Sequence, residues 1–216
     1  LSSLLVPRAQ AQVARTQVST GAGLLSYLRQ RPIWVFYVAA MLMQVSHGPY
    51  YTFLSVYLTE LGYSRSAVGW FWSLGVLAEI GLFIYMPKLL LRFSLRSVLL
   101  VSFALAAIRW LALGYVADHL VWLVLIQVLH AATFGSFHAA SMQFIQQRFA
   151  RARQGQGQAL YVSLSGLGAA VGALYAGYMW DAVGAEGTFT VAAAVVFLAL
   201  LVLWFGLKNT AEKQPS

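Results

Sequence analysis

The sequence predicts an all-α membrane protein that folds as a bundle of six transmembrane helices. Of its 216 residues, 60% are hydrophobic and only 9% are charged, whereas a soluble domain has about 25% charged residues. Most of the surface must therefore face lipid. The chain also contains six apolar runs, each near the roughly 20 residues that a helix needs to cross a bilayer. These runs cover roughly residues 33–58, 66–87, 97–116, 120–147, 158–180 and 187–206.

The basic residues between these runs predict the orientation of the bundle. In the gaps on one side, Arg65 is the only base and stands with four acidic residues. Bases concentrate on the cytoplasmic side of membrane proteins, so we expect a multi-pass protein of the inner (plasma) membrane with both termini in the cytoplasm. The net charge of +8 then reflects topology, and we expect no nucleic-acid partner. Twelve of the 14 bases stand on the other side: Arg8, Arg15, Arg29, Arg31, Lys88, Arg92, Arg96, Arg148, Arg151, Arg153, Lys208 and Lys213.

The polar segments at the two ends predict the domain boundaries. Residues 1–32 are rich in Gln, Ser, Thr and Arg, and we interpret them as a cytoplasmic linker, formed by the end of a preceding helix and a central loop. The six-helix bundle then covers 33–206, and a cytoplasmic tail covers 207–216. Because the sequence begins with Leu1, we expect a fragment or a processed chain.

The sequence carries no signature of a soluble enzyme. It has no cysteine, which excludes a disulfide framework and a thiolate metal site. It has no G-x-x-x-x-G-K-[ST] loop for ATP and no G-x-S-x-G or H-E-x-x-H pattern of a hydrolase. We therefore expect neither an enzyme nor a metal or cofactor site.

The most informative residues are ionisable side chains inside the apolar runs, because a charge at mid-membrane costs at least ~2.5–3.5 kcal/mol. At ~1.5 Å per helical residue, Glu79 lies about 20 Å and His47 about 18 Å from the outer face. By the same count His130 lies about 15 Å and Arg109 about 12 Å from it. Four polar groups from four helices thus fall in one central layer. The alternatives are a neutral, hydrogen-bonded Glu79, an Arg109 that reaches the outer interface, and a structural role for His130.

Polar and aromatic residues share one face on three of the predicted helices, which suits a cavity wall better than a lipid face. On the first helix these are Gln44, His47, Tyr50, Tyr51 and Ser55. On the second they are Trp72, Gly75, Val76 and Glu79. On the fourth they are Gln127, His130, Phe134, Phe137, His138 and Ser141.

Small residues recur every four positions on the fifth predicted helix, at Gly168, Gly172 and Ala176. Such rows let helices approach closely in lipid. They predict a tightly packed bundle.

Several blocks of the sequence resemble a known family. They are QVSHGPYY at 44–51, GYSRSAVGWFWSLGVLAE at 62–79, IRW at 108–110 and QVLHAATFGSFHAASMQFI at 127–145. They are similar to the C-terminal half of the 3-phenylpropionate permease type, a group of the major facilitator superfamily related to lactose permease-like proton symporters. The resemblance covers roughly 30–206. It implies half of a twelve-helix fold, built of two three-helix inverted repeats, with alternating access and a missing N-terminal half.

The resemblance also carries particular residues. The lactose permease-like pattern has an Arg in the third helix of this half and a His about twenty positions later, and Arg109 and His130 match it. The pattern places a Glu three residues after the His, where this sequence has Thr133. Glu79 is then the only carboxylate inside the six runs. The loop between helices two and three keeps the bases of the family's conformational loop, Arg92 and Arg96, but lacks its acid.

These observations predict secondary transport, driven by a proton gradient, of a small organic solute, with an aromatic carboxylate such as 3-phenylpropionate favoured. Arg109 would bind a carboxylate or sugar hydroxyls, Glu79 would carry the proton, and His130 would assist either step. Oligosaccharide–proton symport is the alternative, drug–proton antiport a weaker one, and a non-transporting scaffold or truncated remnant a further one. The predicted substrate-binding residues are Arg109, His130, His47, Gln127, Gln44, Tyr51, Trp72 and Phe134, and the predicted proton-coupling residues are Glu79 and His130.

Overall fold

The computed structural model describes residues 23–207, and nearly all of them are helical. Residues 1–22 and 208–216, which belong to the predicted linker and tail, lie outside the described residues. The helices are α1 (Leu24–Leu28), α2 (Arg31–Glu60), α3 (Arg65–Arg92), α4 (Leu95–Val116), α5 (Leu120–His130), a π-helical segment (Ala131–Gly135), α6 (Ser136–Arg148), a 3-10 turn (Arg151–Arg153) and α7 (Gln154–Gly206).

These helices provide six membrane crossings. Arg65–Arg92, Leu95–Val116, Leu120–Arg148 and Arg151–Gly206 are each long and apolar enough to span a bilayer. The last of these contains two crossings, because Gly184 has φ 69° and ψ −171° and breaks the helix there. α2, with 30 residues, is long enough to cross as well. The predicted all-α, six-helix fold class is confirmed.

Local sequence explains where several helices begin. Pro32 stands in the first turn of α2, where a missing N–H costs nothing. The side chains of Ser64 and Ser94 accept hydrogen bonds from the backbone N–H groups of Ala67 and Ser97, and so cap α3 and α4. α1 and the first residues of α2 fall inside the range that we interpret as linker.

The closest helix contact lies between α2 and the first half of α7. A Cβ atom on Gly172 would lie 2.5 Å from the carbonyl oxygen of Val45 and 2.9 Å from the Cα of Gly48. Pro49 has no N–H to offer the Val45 carbonyl four residues earlier, so this oxygen is free to take the close approach of a glycine. The predicted tight packing of the Gly168, Gly172 and Ala176 row is confirmed, since all three are buried.

At the opposite end of α7, two arginines hold the helix terminus. Arg31 donates to the carbonyl of Phe205 over 3.1 Å, and Arg96 donates to the carbonyls of Trp204 and Leu207. Cations stabilise the carbonyl end of a helix. The starts of α2 and α4 therefore lie beside the end of α7.

Candidate functional site

Arg109 of α4 is the most deeply enclosed charged side chain in the described part of the chain, with an exposed fraction of 0%. Its Nε donates to the carbonyl of Ile126 over 3.0 Å. Its guanidinium carbon lies 4.3 Å from the ring centre of Tyr50 and 4.5 Å from that of Trp110. Neither terminal nitrogen has a hydrogen-bond partner within residues 23–207. A buried cation of this kind is costly unless an acceptor is brought to it.

Glu79 of α3 and His130 of α5 form a loose pair beside Arg109. His130 Nε2 lies 4.0 Å from Glu79 Oε2, and the side chains are 7% and 18% exposed, respectively. That distance is longer than a hydrogen bond. Glu79 lies against Gly135, where a Cβ atom would come within 3.0 Å of the Glu79 Cγ. The glycine thus gives the carboxylate room beside the fourth crossing.

The π-helical segment Ala131–Gly135 begins directly after His130. Segments of this kind are rare and occur frequently at functional sites. Thr133 lies within it, fully buried, and its hydroxyl donates to the carbonyl of His130 over 3.1 Å. Where the lactose permease-like pattern has a carboxylate, this chain therefore has a hydroxyl group that satisfies a backbone carbonyl.

His47 of α2 closes the site on another side. Its Nδ1 donates to the carbonyl of Met43 over 2.8 Å, which fixes the hydrogen on Nδ1. Nε2 is buried and lacks a partner among the described residues. The His47 ring meets the Trp110 ring edge to face, with centres 4.8 Å apart, and Trp110 is itself held by a hydrogen bond to Ser46.

Aromatic rings surround these polar groups. The Tyr50 ring stacks on His130 with centres 5.5 Å apart, and its hydroxyl donates to Gln127 Oε1 over 3.0 Å. Phe134 stacks on the other neighbour of His130, with ring centres 5.4 Å apart and planes 6° from parallel. Tyr51 and Trp72 stack on each other at 6.2 Å. Tyr51 is 47% exposed, so this is the side on which the site opens.

Comparison with known proteins identifies the family. A sequence model described as the MFS_1 like family matches residues 4–191. The chain belongs to this family. The predicted recognition of a major-facilitator protein and of half of its fold is thereby confirmed.

Individual members of the MFS_1 like family are also similar to the chain. It is 38% identical over 209 residues to the "Probable 3-phenylpropionic acid transporter" of Escherichia coli, covering 94% of this chain and 53% of that protein. It is 27% identical over 136 residues to the "Putative nucleoside transporter YegT" of the same organism, covering 61% and 32%. It is 23% identical over 209 residues to the "Uncharacterized transporter YwbF" of Bacillus subtilis, covering 96% and 51%. The chain thus spans about half the length of the first of these curated relatives. All three are named as transporters rather than enzymes.

The structure places the other predicted residues of this family member at a distance from Arg109. Gln44 lies one turn before His47 and packs against α7, where a Cβ on Gly168 would come within 3.0 Å of its Cβ. Arg92 lies near the Phe93 ring, and Arg96 binds the end of α7. Sequence analysis did not single out Tyr50 or Trp110, although Trp110 stands in the IRW block. Among the described residues, no three His, Asp or Glu side chains are grouped to hold a metal ion.

An open groove between the outer ends of α2 and α3 leads toward the site. Ser55, at its inner end, accepts a hydrogen bond of 3.0 Å from the Trp72 indole N–H. The groove carries both an acid and a base at its rim. It is lined by Ser55, Val56, Thr59, Glu60, Arg65 and Val68.

Proposed function

We propose that this chain is the C-terminal half of a proton-coupled symporter for a small organic carboxylate, with an aromatic acid such as 3-phenylpropionate favoured. The observation that carries the proposal is the pair of buried, unpartnered guanidinium nitrogens of Arg109. In this proposal, an N-terminal six-helix half completes the transporter. The proton gradient is its driving force, and no cofactor takes part.

A carboxylate matches the free part of Arg109 in number and geometry. Nε is occupied by the Ile126 carbonyl, so the two terminal nitrogens remain to donate side by side. A guanidinium fork binds a carboxylate through two parallel hydrogen bonds. The rings of Tyr50 and Trp110 hold the guanidinium in place, and further donors stand nearby at Gln127, whose Nε2 is also without a partner in the described chain.

The aromatic rings around Arg109 supply a surface for the apolar part of such a substrate. Offset and edge-to-face ring pairs contribute about 0.5–1.5 kcal/mol beyond the burial of their area. Tyr51, Trp72 and Phe134 are only partly buried and therefore present ring surface to the open side. A phenyl group placed there keeps its carboxylate within reach of the Arg109 fork.

Glu79 is the proposed proton carrier, with His130 as its partner. A charged carboxylate is costly in an occluded bundle, whereas a neutral one is tolerated. Protonation of Glu79 would therefore permit the conformational change, and release of the proton would reset the transporter. His130 Nε2, at 4.0 Å, is close enough to exchange a proton with Glu79 after a small shift or through one water molecule.

The proposed placement is a multi-pass protein of the inner membrane with both termini in the cytoplasm. The contacts of Arg31 and Arg96 with the end of α7 put three base-containing segments at one end of the bundle, which supports this orientation. The two three-helix repeats, the linker at 1–32 and the tail at 207–216 remain part of the proposal.

A polyhydroxylated solute is the second candidate. The same fork donates to sugar hydroxyls, and the buried amide atoms of Gln44 and Gln127 offer further neutral partners. One relative of the chain is named a nucleoside transporter. An oligosaccharide or a nucleoside would use these groups without neutralising Arg109.

Uptake into cells that express the complete gene product containing this chain tests the proposal. We expect labelled 3-phenylpropionate to accumulate, and accumulation to stop when a protonophore abolishes the gradient. Arg109→Gln should abolish uptake, while Tyr37→Phe, a substitution away from the site, should leave it unchanged. Uptake of a labelled disaccharide or nucleoside in place of the acid would favour the second candidate. No uptake of any of these solutes would favour the scaffold alternative.

A further inference from the structure

A second polar cluster lies between α6 and the first half of α7, outside the site that holds Arg109. Tyr161 is only 3% exposed, and its hydroxyl lies 3.3 Å from His138 Nδ1. The hydroxyl groups of Ser141 and Ser165 are within interaction range of the Tyr161 hydroxyl. We call His138, Ser141, Tyr161 and Ser165 the Tyr161 cluster.

Two groups of the Tyr161 cluster are buried without a protein partner. Ser141 is fully buried, and the Oγ atoms of Ser141 and Ser165 make no hydrogen bond to any described residue. Leaving such a group unsatisfied costs about 1–3 kcal/mol. The Phe36 and Phe137 rings, each 6.3 Å from the Tyr161 ring centre to centre, form apolar walls that offer no partner. Several polar atoms that converge between apolar walls form the setting in which buried water binds.

The Tyr161 cluster continues the central site along the membrane normal. The rings of His130, Phe134 and His138 lie in a ladder, with centre distances of 5.4 Å and 6.4 Å and planes 6° and 11° from parallel. Glu79 lies against Gly135, only three residues before His138. Tyr161 is seven residues from the start of α7, or about 10 Å along the helix. The cluster therefore stands between the Glu79–His130 pair and the end of the bundle that carries Arg148, Arg151 and Arg153.

Every member of the Tyr161 cluster can both donate and accept a hydrogen bond, as a proton relay requires. We propose that His138, Ser141, Tyr161 and Ser165 bind ordered water molecules that conduct the coupled proton between the Glu79–His130 pair and the Arg148–Arg153 end of the bundle. The O–H bond of the Glu79 carboxyl group breaks, and each relay group accepts one proton on one side while it releases another. The proton ends on bulk water and Glu79 is left as a carboxylate. The direction of this step rests on the proposed function, whereas the water site does not.

X-ray radiolytic labelling of the complete gene product tests the water site without any transport. Hydroxyl radicals formed from bound water oxidise the rings beside it. Tyr37 is a matched control, because it is also 3% exposed but its hydroxyl donates to the Gly157 carbonyl. We expect Tyr161 to be oxidised several-fold faster than Tyr37, and Ser141→Ala with Ser165→Ala to remove the difference. Equal rates for the two tyrosines in the unmodified protein would overturn the proposal.

Transport by Tyr161→Phe tests the proton path. In proteoliposomes, proton movement that accompanies substrate entry should slow by about tenfold or more, while exchange of substrate at equal concentrations on both sides should be unchanged. Tyr37→Phe should alter neither rate. If exchange by Tyr161→Phe falls as much as proton movement, or if neither rate changes, the path is refuted. If the unmodified protein transports without proton movement, the proposed coupling and the path both fail, while the labelling result still decides the water site.

Discussion

Arg109→Lys is the sharpest single test of the carboxylate site, because it keeps the charge and removes the fork. In the structure the Arg109 Nε is occupied by Ile126, and two terminal nitrogens remain for the substrate. Each charge-assisted hydrogen bond contributes about 1.5–3 kcal/mol. A lysine ammonium replaces the two parallel bonds with one, so binding should weaken by that amount. At 1.4 kcal/mol per factor of ten, this is about a tenfold to hundredfold loss of affinity.

Arg109→Gln removes the charge as well as the fork. The loss of both bonds is worth about 3–6 kcal/mol, or about a hundredfold to ten-thousandfold in affinity. The protein itself should not be destabilised as much, because the substitution also removes a buried cation that lacks a partner in the described chain. The two variants should therefore rank as wild type, lysine and glutamine in affinity, without the same ranking in thermal stability.

Equilibrium binding of labelled 3-phenylpropionate to the purified gene product measures this series. The alcohol 3-phenylpropanol serves as a matched ligand, because it has the same ring and chain without the carboxylate. Its binding should change little between wild type and Arg109→Lys. The reasoning is refuted if Arg109→Lys binds the acid as wild type does. It is also refuted if the alcohol loses as much affinity as the acid.

Three further predictions follow from other parts of the bundle. Glu79→Gln, a permanent mimic of the protonated form, should exchange substrate across a preloaded vesicle but should not accumulate it against a gradient; full proton-driven accumulation would remove Glu79 from the mechanism. Gly172→Ala should lower thermal stability by about 1–3 kcal/mol through overlap with α2, whereas Gly166→Ala, which has no atom within 4 Å to meet, should not; equal effects would contradict the packing. Single cysteines should be labelled from outside intact cells near residue 185 and not in the loop 148–157, and the reverse pattern would invert the topology.

Hydropathy located the crossings well because a bilayer imposes a length on each apolar run. The second run was predicted at 66–87, and the helix covers Arg65–Arg92. The extra residues at its end include Lys88 and Arg92, which are too polar for the predicted run although the backbone remains helical. The gap predicted at 181–186 is likewise helical, apart from the break at Gly184. Hydropathy reports what lies in lipid, and helices continue beyond it.

The central site was predictable in depth but not in its neighbours. A constant rise per residue placed Glu79, His47, Arg109 and His130 in one layer, and the structure brings His130 to within 4.0 Å of Glu79. The rings that enclose Arg109 could not be identified in this way, because contacts between helices depend on their packing and rotation. The π-helical segment was also missed, since an i→i+5 hydrogen-bond pattern leaves no period in the side chains. The roles of these residues remain predictions.

The π-helical segment ties the register of the fourth crossing to its chain length. Residues on an α-helix are rotated by about 100° from one to the next. Deletion of one residue within Ala131–Gly135 would let the whole crossing form a regular α-helix, with its ends still in the membrane interfaces. The half that follows would then turn by about 100° relative to the half that precedes it, and His138 would leave Tyr161 while His130 kept its place. A change of one codon would therefore uncouple the two polar clusters without unfolding the bundle. Insertions and deletions at this point of the gene are under a functional constraint that hydrophobicity alone does not impose.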